Sequence, residues 1–421
     1  MQTYHKPYSY FVQTCYTLAI ECQFYAGRGK IARHSFAAPR FLSCLVAAQA
    51  VLGVRVLARL ARSAGGRRIT PARSEPHTGP AVSIIVPVLD ERKRLAPCLE
   101  GLMAHGPEVG EILVIDGGST DGTQDLVRAF SARDPRVRLL AAGPLPAGWN
   151  GKAWSLQVGL ERADPSLPWI LTMDADVRPT QALAGALLAH ARQALVPVLS
   201  VATLQELEGV IEGLIHPALL TTLVYRFGGP GRACHRVAAV QANGQCFLAR
   251  REALLACRAF TCARASRCED VTVARALVTC GYPVGFYETE NLVSVKMYEN
   301  WRGTWGNWPR SLPMRDQFTR ASSVIGLCEV LLVQALPLPL LLYLLATPRR
   351  PGQGWMLLVS GLLTATRLGV LAGTARAYRR PPWSYWLSPL CDLPVACRLW
   401  QSMLQRRHVW RGRGLVVGGS T

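Results

Sequence analysis

Three short apolar runs in this chain each stop at acidic residues, and that repetition restricts the fold more than any other feature. Residues 82–88 lead into Asp90-Glu91, residues 112–115 into Asp116-Gly117-Gly118-Ser119-Thr120-Asp121-Gly122-Thr123, and residues 169–173 into Asp174-Ala175-Asp176. Each run has strand length and is rich in β-branched residues, and helix-length segments such as 123–132 separate them. The alternation predicts an α/β domain over residues 81–300 with a mostly parallel central sheet. Ligands of such sheets bind beyond the carboxyl ends of the strands, so the acidic stations are the residues to inspect.

Glycines at 117, 118 and 122 permit a tight turn, and carboxylates beside it can accept hydrogen bonds from a ribose or a base edge. An Asx-rich turn capping the following helix is the plainer reading of the same residues. No GxGxxG or GxxxxGK[ST] phosphate loop is present, so the phosphates of a bound nucleotide need other partners. Asp174 and Asp176 end a strand as an Asp-x-Asp pair, a donor set that suits Mg²⁺ or Mn²⁺ sharing its coordination with water and diphosphate, although such pairs are also common in solvated loops. Lys152, in Trp149-Asn150-Gly151-Lys152, precedes a predicted helix start where a cation and backbone N–H groups can meet an anion; the alternative is a surface lysine. Glu269-Asp270 opens a further helix with apolar positions at Val271, Ala274, Leu277 and Val278, and serves either as an N-terminal cap or as a general base.

Half of the 421 residues are hydrophobic, 18% are charged and the mean hydropathy is +0.16, which places the chain between soluble proteins and fully embedded transporters. Residues 1–37 read as a leader without the apolar core of a signal peptide, and 38–60 as a membrane helix in which Arg55 snorkels to an interface. Residues 301–322 read as an amphipathic interfacial segment, where Trp301, Trp305 and Trp308, three and four apart, share one helical face suited to an acceptor's apolar body or to the membrane interface. Residues 323–346 and 354–374 are long enough to span the bilayer; Pro337 and Pro339 kink the first, and Glu329, Gln334 and Arg367 must face protein or water. Residues 383–404, apolar but broken by Pro389, Asp392 and Pro394, read as an interfacial or membrane helix, and 405–421 as a basic cytosolic tail. Thirteen cysteines without a CxxC pair read as reduced thiols. The net charge of +20 has no nucleic-acid motif beside it and fits attraction to anionic lipid. Basic residues flanking the apolar segments place the catalytic unit on the cytosolic side of a multi-pass protein of the cytoplasmic membrane.

Taken in order, Asp90-Glu91, the DGGSTDGT run, Asp174-Ala175-Asp176 and Glu269-Asp270 resemble the family 2 inverting glycosyltransferases of GT-A fold over roughly residues 81–300. The segments 148–152 and 410–413 are similar to the membrane-bound branch acting on lipids, including the carotenoid and hopanoid-associated glycosyltransferases. The resemblance implies a nucleotide-sugar donor, first choice a UDP-sugar, and a lipid acceptor. It makes Asp116 the partner of the nucleobase, with Pro87, Asp90 and Glu91 lining the nucleotide side and Lys152 and Asp174 on the donor. It makes Asp176, with Asp174, the ligand of Mg²⁺ or Mn²⁺, and Asp270, beside Glu269, the base that takes the acceptor's proton. Gln241, Asn243 and Gly244 precede a predicted strand and edge the sugar pocket. The chain departs from the family in having Asp90 where Asn is usual and Gly117 where a second Asp is usual, and it lacks the QxxRW signature of processive synthases, which favours transfer of a single sugar. The segment from Trp305 through Arg310 is similar to that of carotenoid glycosyltransferases, so a hydroxylated carotenoid is the first acceptor expected and hopanoid, polyprenyl or glycerolipid acceptors are the alternatives. A nucleotidyltransferase or an inactive membrane scaffold would be the reading from a different class.

Overall fold

The computed structural model describes residues 37–71, 79–266, 268–310, 312, 319–349, 351–404, 407–410 and 413–416. The expected leader before residue 37, Arg267, and most of the tail lie outside them, and the side chain of Arg310 is likewise outside the description. The chain divides between residues 48 and 49. Residues 37–48 of the first unit are helical, opening the helix Ala37–Ser63.

The second unit holds the α/β domain. Its strands are β1 (Arg68–Ile69), β2 (Val82–Val88), β3 (Val109–Asp116), β4 (Val137–Ala141), β5 (Trp169–Met173), β6 (Val177–Pro179), β7 (Val198–Ala202), β8 (Leu204–Gln205), β9 (Arg232–Cys234), β10 (Cys246–Arg250), β11 (Val284–Thr289) and β12 (Val293–Val295). The main sheet runs β1-β11-β7-β10-β5-β2-β3-β4, with β9 on β11. It is parallel except at β10, which lies antiparallel to β5 and β7, and at β9. Side chains alternate between the two faces: Val82, Ile84 and Val86 of β2 enter one core with Leu95, Leu99 and Val127, while Ile85 enters the other with Leu156, Leu160 and Val273. Helices cover both faces, which is why these strands read as continuous apolar runs rather than as alternating ones.

The register decides where the acidic stations meet. β2, β3 and β5 are parallel, and Val88 stands opposite Asp116, so Asp90-Glu91, Asp116 and Asp174 leave the sheet at one edge. β10 runs the other way and pairs Cys246 with Met173, which brings residues 243–245 to that same edge.

Among the described residues, three helices are long and apolar enough to cross a bilayer: Arg40–Ser63, Ala321–Ala346 and Gly354–Ala377. The second is α-helical over Arg320–Glu329, widens to a π-helix over Val330–Ala335 and resumes α-helical at Pro337, so the expected kink is a local change of hydrogen-bond spacing before the proline. Arg55 Nε lies 2.8 Å from Glu329 Oε1. Residues 383–404 are not one continuous α-helix. They form a 3₁₀ stretch, Trp383–Cys391, and a helix, Asp392–Leu404, whose Asp392 is buried against Arg367 at 2.7 Å and accepts from Gln334 at 2.8 Å. A buried arginine needs a buried carboxylate, and that requirement draws the segment inward.

The helix Gly209–Phe227 joins the two halves of this unit. Its Ala218 and Leu219 pack with Leu327, Val330, Val395 and Leu399, and its Leu223 and Phe227 pack against Cys268 and Val271 at the start of the helix Glu269–Thr279.

Candidate active site

A chain of ion pairs crosses the carboxyl edge of the sheet. Arg94 Nη2 donates to Glu91 Oε2 at 2.6 Å, and its Nη1 lies 3.5 Å from Asp176 Oδ2. Asp174 follows on the same loop, and Lys152 Nζ lies 2.7 Å from Asp174 Oδ1 and 2.7 Å from Glu269 Oε1. Next to Glu269, Asp270 accepts from the backbone N–H of Gly244 at 3.0 Å and from that of Val271 at 2.8 Å. Glu91, Asp174, Asp176, Lys152, Glu269, Asp270 and Gly244 are thus brought together as expected.

Local structure fixes these positions. Asn150 caps the helix Gly151–Arg162 by accepting from Ala153 N at 2.7 Å, and its Nδ2 donates to the carbonyl of Ser266 at 2.9 Å. One side chain therefore orients the first turn that carries Lys152 and pins it to the loop before Glu269. Gly244 packs closely: a Cβ there would stand 3.2 Å from both Asp270 Cβ and Lys152 Nζ, so these side chains would have to give by a few tenths of an ångström. Cys268, the residue capping the helix Glu269–Thr279, makes no side-chain cap bond, and Asp270 turns back toward Gly244. Asp270 thus accepts both from a first-turn N–H of its own helix and from Gly244 on β10's approach.

The electrostatics follow from five carboxylates and two cations in a half-buried space. Burial first, and then Asp174, push the Asp176 carboxyl up to about 7. Burial, followed by Glu269, pushes Asp270 up to about 7 as well. Burial works against the charge on Lys152, yet Asp174 and Glu269 outweigh it and hold its ammonium well above the ordinary lysine range. Asp174 is raised by burial despite Lys152.

Other expected residues have different surroundings. Asp116 is buried, and its oxygens accept from Gly118 N at 3.1 Å, Ser119 N at 3.1 Å and Gln124 Nε2 at 2.8 Å, so it braces the glycine loop. Asp90 adopts a left-handed φ of 54°, accepts from Thr120 N at 2.8 Å and ties the β2 loop to the same turn. Pro87 lies at the end of β2 opposite Ile115. Asn243 donates to Gln245 Oε1 at 2.9 Å, whereas Gln241 donates to the neighbouring carbonyl of Val240. Trp305 and Trp308 pack on the cluster around Leu219 and Leu399, with Trp308 stacked 4.4 Å from His216, while Trp301 lies under Arg302.

Two residues escaped the sequence reading. Arg94 bridges Glu91 and Asp176, and its spacing three residues after Glu91 was the available signal. Gln245, buried, accepts from Thr203 Oγ1 at 2.5 Å, and its carbonyl accepts from Asp174 N at 3.1 Å, fixing the Asp-x-Asp loop to β10. Nothing in its sequence surroundings marks it.

Residues 83–210 match the family described as Glycosyl transferase family 2. Over those residues the chain is similar to glycosyltransferase family 2. It is 33% identical over 102 residues to the lipopolysaccharide core biosynthesis glycosyltransferase LpsC of Rhizobium meliloti (strain 1021), covering 24% of this chain and 34% of that protein. It is 23% identical over 229 residues to a 4,4'-diaponeurosporenoate glycosyltransferase of Staphylococcus haemolyticus (strain JCSC1435), covering 54% of this chain and 59% of that protein. The chain thus spans less than two thirds of the length of these curated relatives. Among solved structures, the mannosyltransferase PcManGT from Pyrobaculum calidifontis, in complex with GDP-Man and Mn²⁺, superposes with a TM-score of 0.47 at 18% identity, over 85% of this chain and 99% of that one. At the sheet edge Lys152 joins Asp174 to Glu269 through two contacts of 2.7 Å.

The donor set for a metal fits a hard cation. Asp174 and Asp176 supply only carboxylate oxygen, and their mutual repulsion is offset by Lys152 and, at 3.5 Å, by Arg94. No group of three His, Cys, Asp or Glu side chains converges on one point among the described residues. Two carboxylates that leave the remaining positions to water and diphosphate are what Mg²⁺ and Mn²⁺ accept in nucleotide sites.

Proposed function

We propose that this protein is a membrane-bound inverting glycosyltransferase that moves one sugar from a nucleotide-sugar donor, a UDP-sugar in the first instance, to the hydroxyl of a lipid, with a hydroxylated carotenoid as the preferred acceptor. Residues 81–300 form the catalytic domain, facing the cytosol, and Asp174 and Asp176 hold Mg²⁺ or Mn²⁺. When bound, that ion offsets charge growing on the departing diphosphate. Asp270 accepts the proton of the attacking hydroxyl, and Gly244 N–H together with Val271 N–H holds its carboxylate in place. Lys152 adds positive charge beside the diphosphate while keeping Glu269, the neighbour of the base, at a fixed distance. A single displacement inverts the anomeric centre.

One observation carries the lipid part of the reading. The first turn of the helix bearing Asp270 packs through Cys268 and Val271 on Leu223 and Phe227, and the same helix Gly209–Phe227 packs on the long apolar helices through Ala218 and Leu219. The base therefore stands next to the elements suited to a bilayer, within reach of a hydroxyl at its surface. The diaponeurosporenoate relative supports a carotenoid over the other lipids. The test incubates membranes containing the full chain with radiolabelled UDP-hexose and a hydroxylated carotenoid, followed by mass spectrometry of the extracted lipid. A hexose mass added by the wild type and missing with Asp270→Asn is expected. Transfer unaffected by Asp270→Asn refutes the base, and transfer to a polyprenyl lipid alone refutes the acceptor.

A further inference from the structure

Beside the apolar helices lies a charge imbalance that sugar transfer does not use. Glu329, 2% exposed, lies 2.8 Å from Arg55 Nε and accepts from Arg59 Nη1 at 3.0 Å and Nη2 at 3.3 Å. Arg59 also donates to the carbonyl of Tyr225. Arg226 approaches the same helix: its Nε would be 3.2 Å from a Cβ at Gly326, one turn before Glu329, and its Nη1 donates to the carbonyl of Leu312 at 2.5 Å. The Glu329 charge acts on Arg226 as well. Two guanidinium groups thus pair with one carboxylate while a third, Arg226, feels its charge from farther off, and among the described residues the ion pairs of Arg55 and Arg59 run to Glu329 alone.

The imbalance sits at a defined depth. Arg55 and Arg59 precede the helix end at Ser63 by eight and four residues, about 12 and 6 Å at the α-helical rise. If that helix crosses the bilayer, these groups lie at the headgroup and glycerol level, the depth of the phosphates of anionic lipids. The arginine fork matches phosphate oxygens, and a basic side chain at this level attracts anionic lipid. Arg55 is 59% exposed and Arg59 17%, so the pair opens outward while Arg226 adds charge from beneath.

We propose that Arg55, Arg59, Arg226 and Glu329 form a binding site for the phosphate of an anionic membrane phospholipid. The proposal goes beyond the transfer reaction but rests on the helix Arg40–Ser63 lying in a membrane. The full chain is reconstituted in nanodiscs of phosphatidylcholine and phosphatidylglycerol, re-extracted, and its retained lipids are counted by native mass spectrometry. Phosphatidylglycerol is enriched over phosphatidylcholine, and Arg55→Gln lowers the enrichment about fivefold, the weight of one basic side chain at anionic headgroups. Arg62→Gln, which removes an exposed charge one helix turn beyond Arg59, leaves it unchanged. Equal enrichment in wild type and Arg55→Gln, or an equal loss in both variants, overturns the site. Displacement of the lipid by excess inorganic phosphate overturns the headgroup assignment. Retention of neither lipid removes the membrane reading and the site with it, whereas equal retention of both lipids removes the site alone.

Discussion

If Asp270 is the base, the rate should follow its ionisation, and the structure supplies the pH. Burial and then Glu269 push this carboxyl up to about 7. A raised pKa means that the proton-accepting form is lost as pH falls through it, so kcat/KM should rise about tenfold per unit below pH 7 and level off above it. Replacing Glu269 by Gln removes the repelling charge and leaves the burial, so the acid limb should move about one unit toward lower pH, with a higher rate at acidic pH than the wild type relative to each plateau. Initial rates of sugar transfer between about pH 5 and pH 9, at saturating Mn²⁺ so that the Asp174 and Asp176 carboxyls stay ionised, measure both curves. A flat profile, or a limb that Glu269→Gln leaves in place, would refute Asp270 as the group whose proton state sets the rate.

Lys152→Met removes the cation between Asp174 and Glu269; kcat/KM should fall about 10²-fold, and the limb set by Asp270 should move to higher pH because Lys152 opposes its rise, as the same rate profile will show. Asp176→Asn should abolish the Mn²⁺-dependent part of the thermal stabilisation by UDP while leaving the unfolding temperature without ligand near that of the wild type, read by scanning fluorimetry. Asp392→Leu strands the buried Arg367 and should cost about 3–5 kcal/mol in thermal or denaturant unfolding in detergent, with most of the loss recovered by adding Arg367→Met.

The strands were legible because both faces of the sheet are buried, so 82–88, 112–115 and 169–173 carry no polar alternation to confuse them. Their acidic ends were legible for the same reason: a carboxylate directly after a buried strand stands out. What could not be read was direction. Gly244 meets Asp270 because β10 runs antiparallel to its neighbours, and nothing in 241–250 states which way that strand points. The role of the helix Gly209–Phe227 was hidden differently. Its apolar residues satisfy two partners, the helix of the base and the long apolar helices, and an all-round apolar pattern does not reveal which side meets which. The pairing of Asp392 was hidden because its partner, Arg367, stands on another helix 25 residues away.

The arrangement at the sheet edge ties two steps of the proposed reaction to one lysine. Asp174 and Asp176 repel each other, and Asp270 is held back from ionising by burial and Glu269; the same Lys152 ammonium touches Asp174 on one side and Glu269 on the other. Both contacts are close, at 2.7 Å, so a shift of Lys152 toward incoming diphosphate weakens its hold on both carboxylates at once. Asp174 would gain a cation with the donor, whereas Glu269 would lose one, and its stronger repulsion would raise the proton affinity of Asp270 as the acceptor hydroxyl arrives. Donor binding would thereby move the ionisation of Asp270 toward higher pH through Lys152 and Glu269, with no movement of the helix Glu269–Thr279 needed.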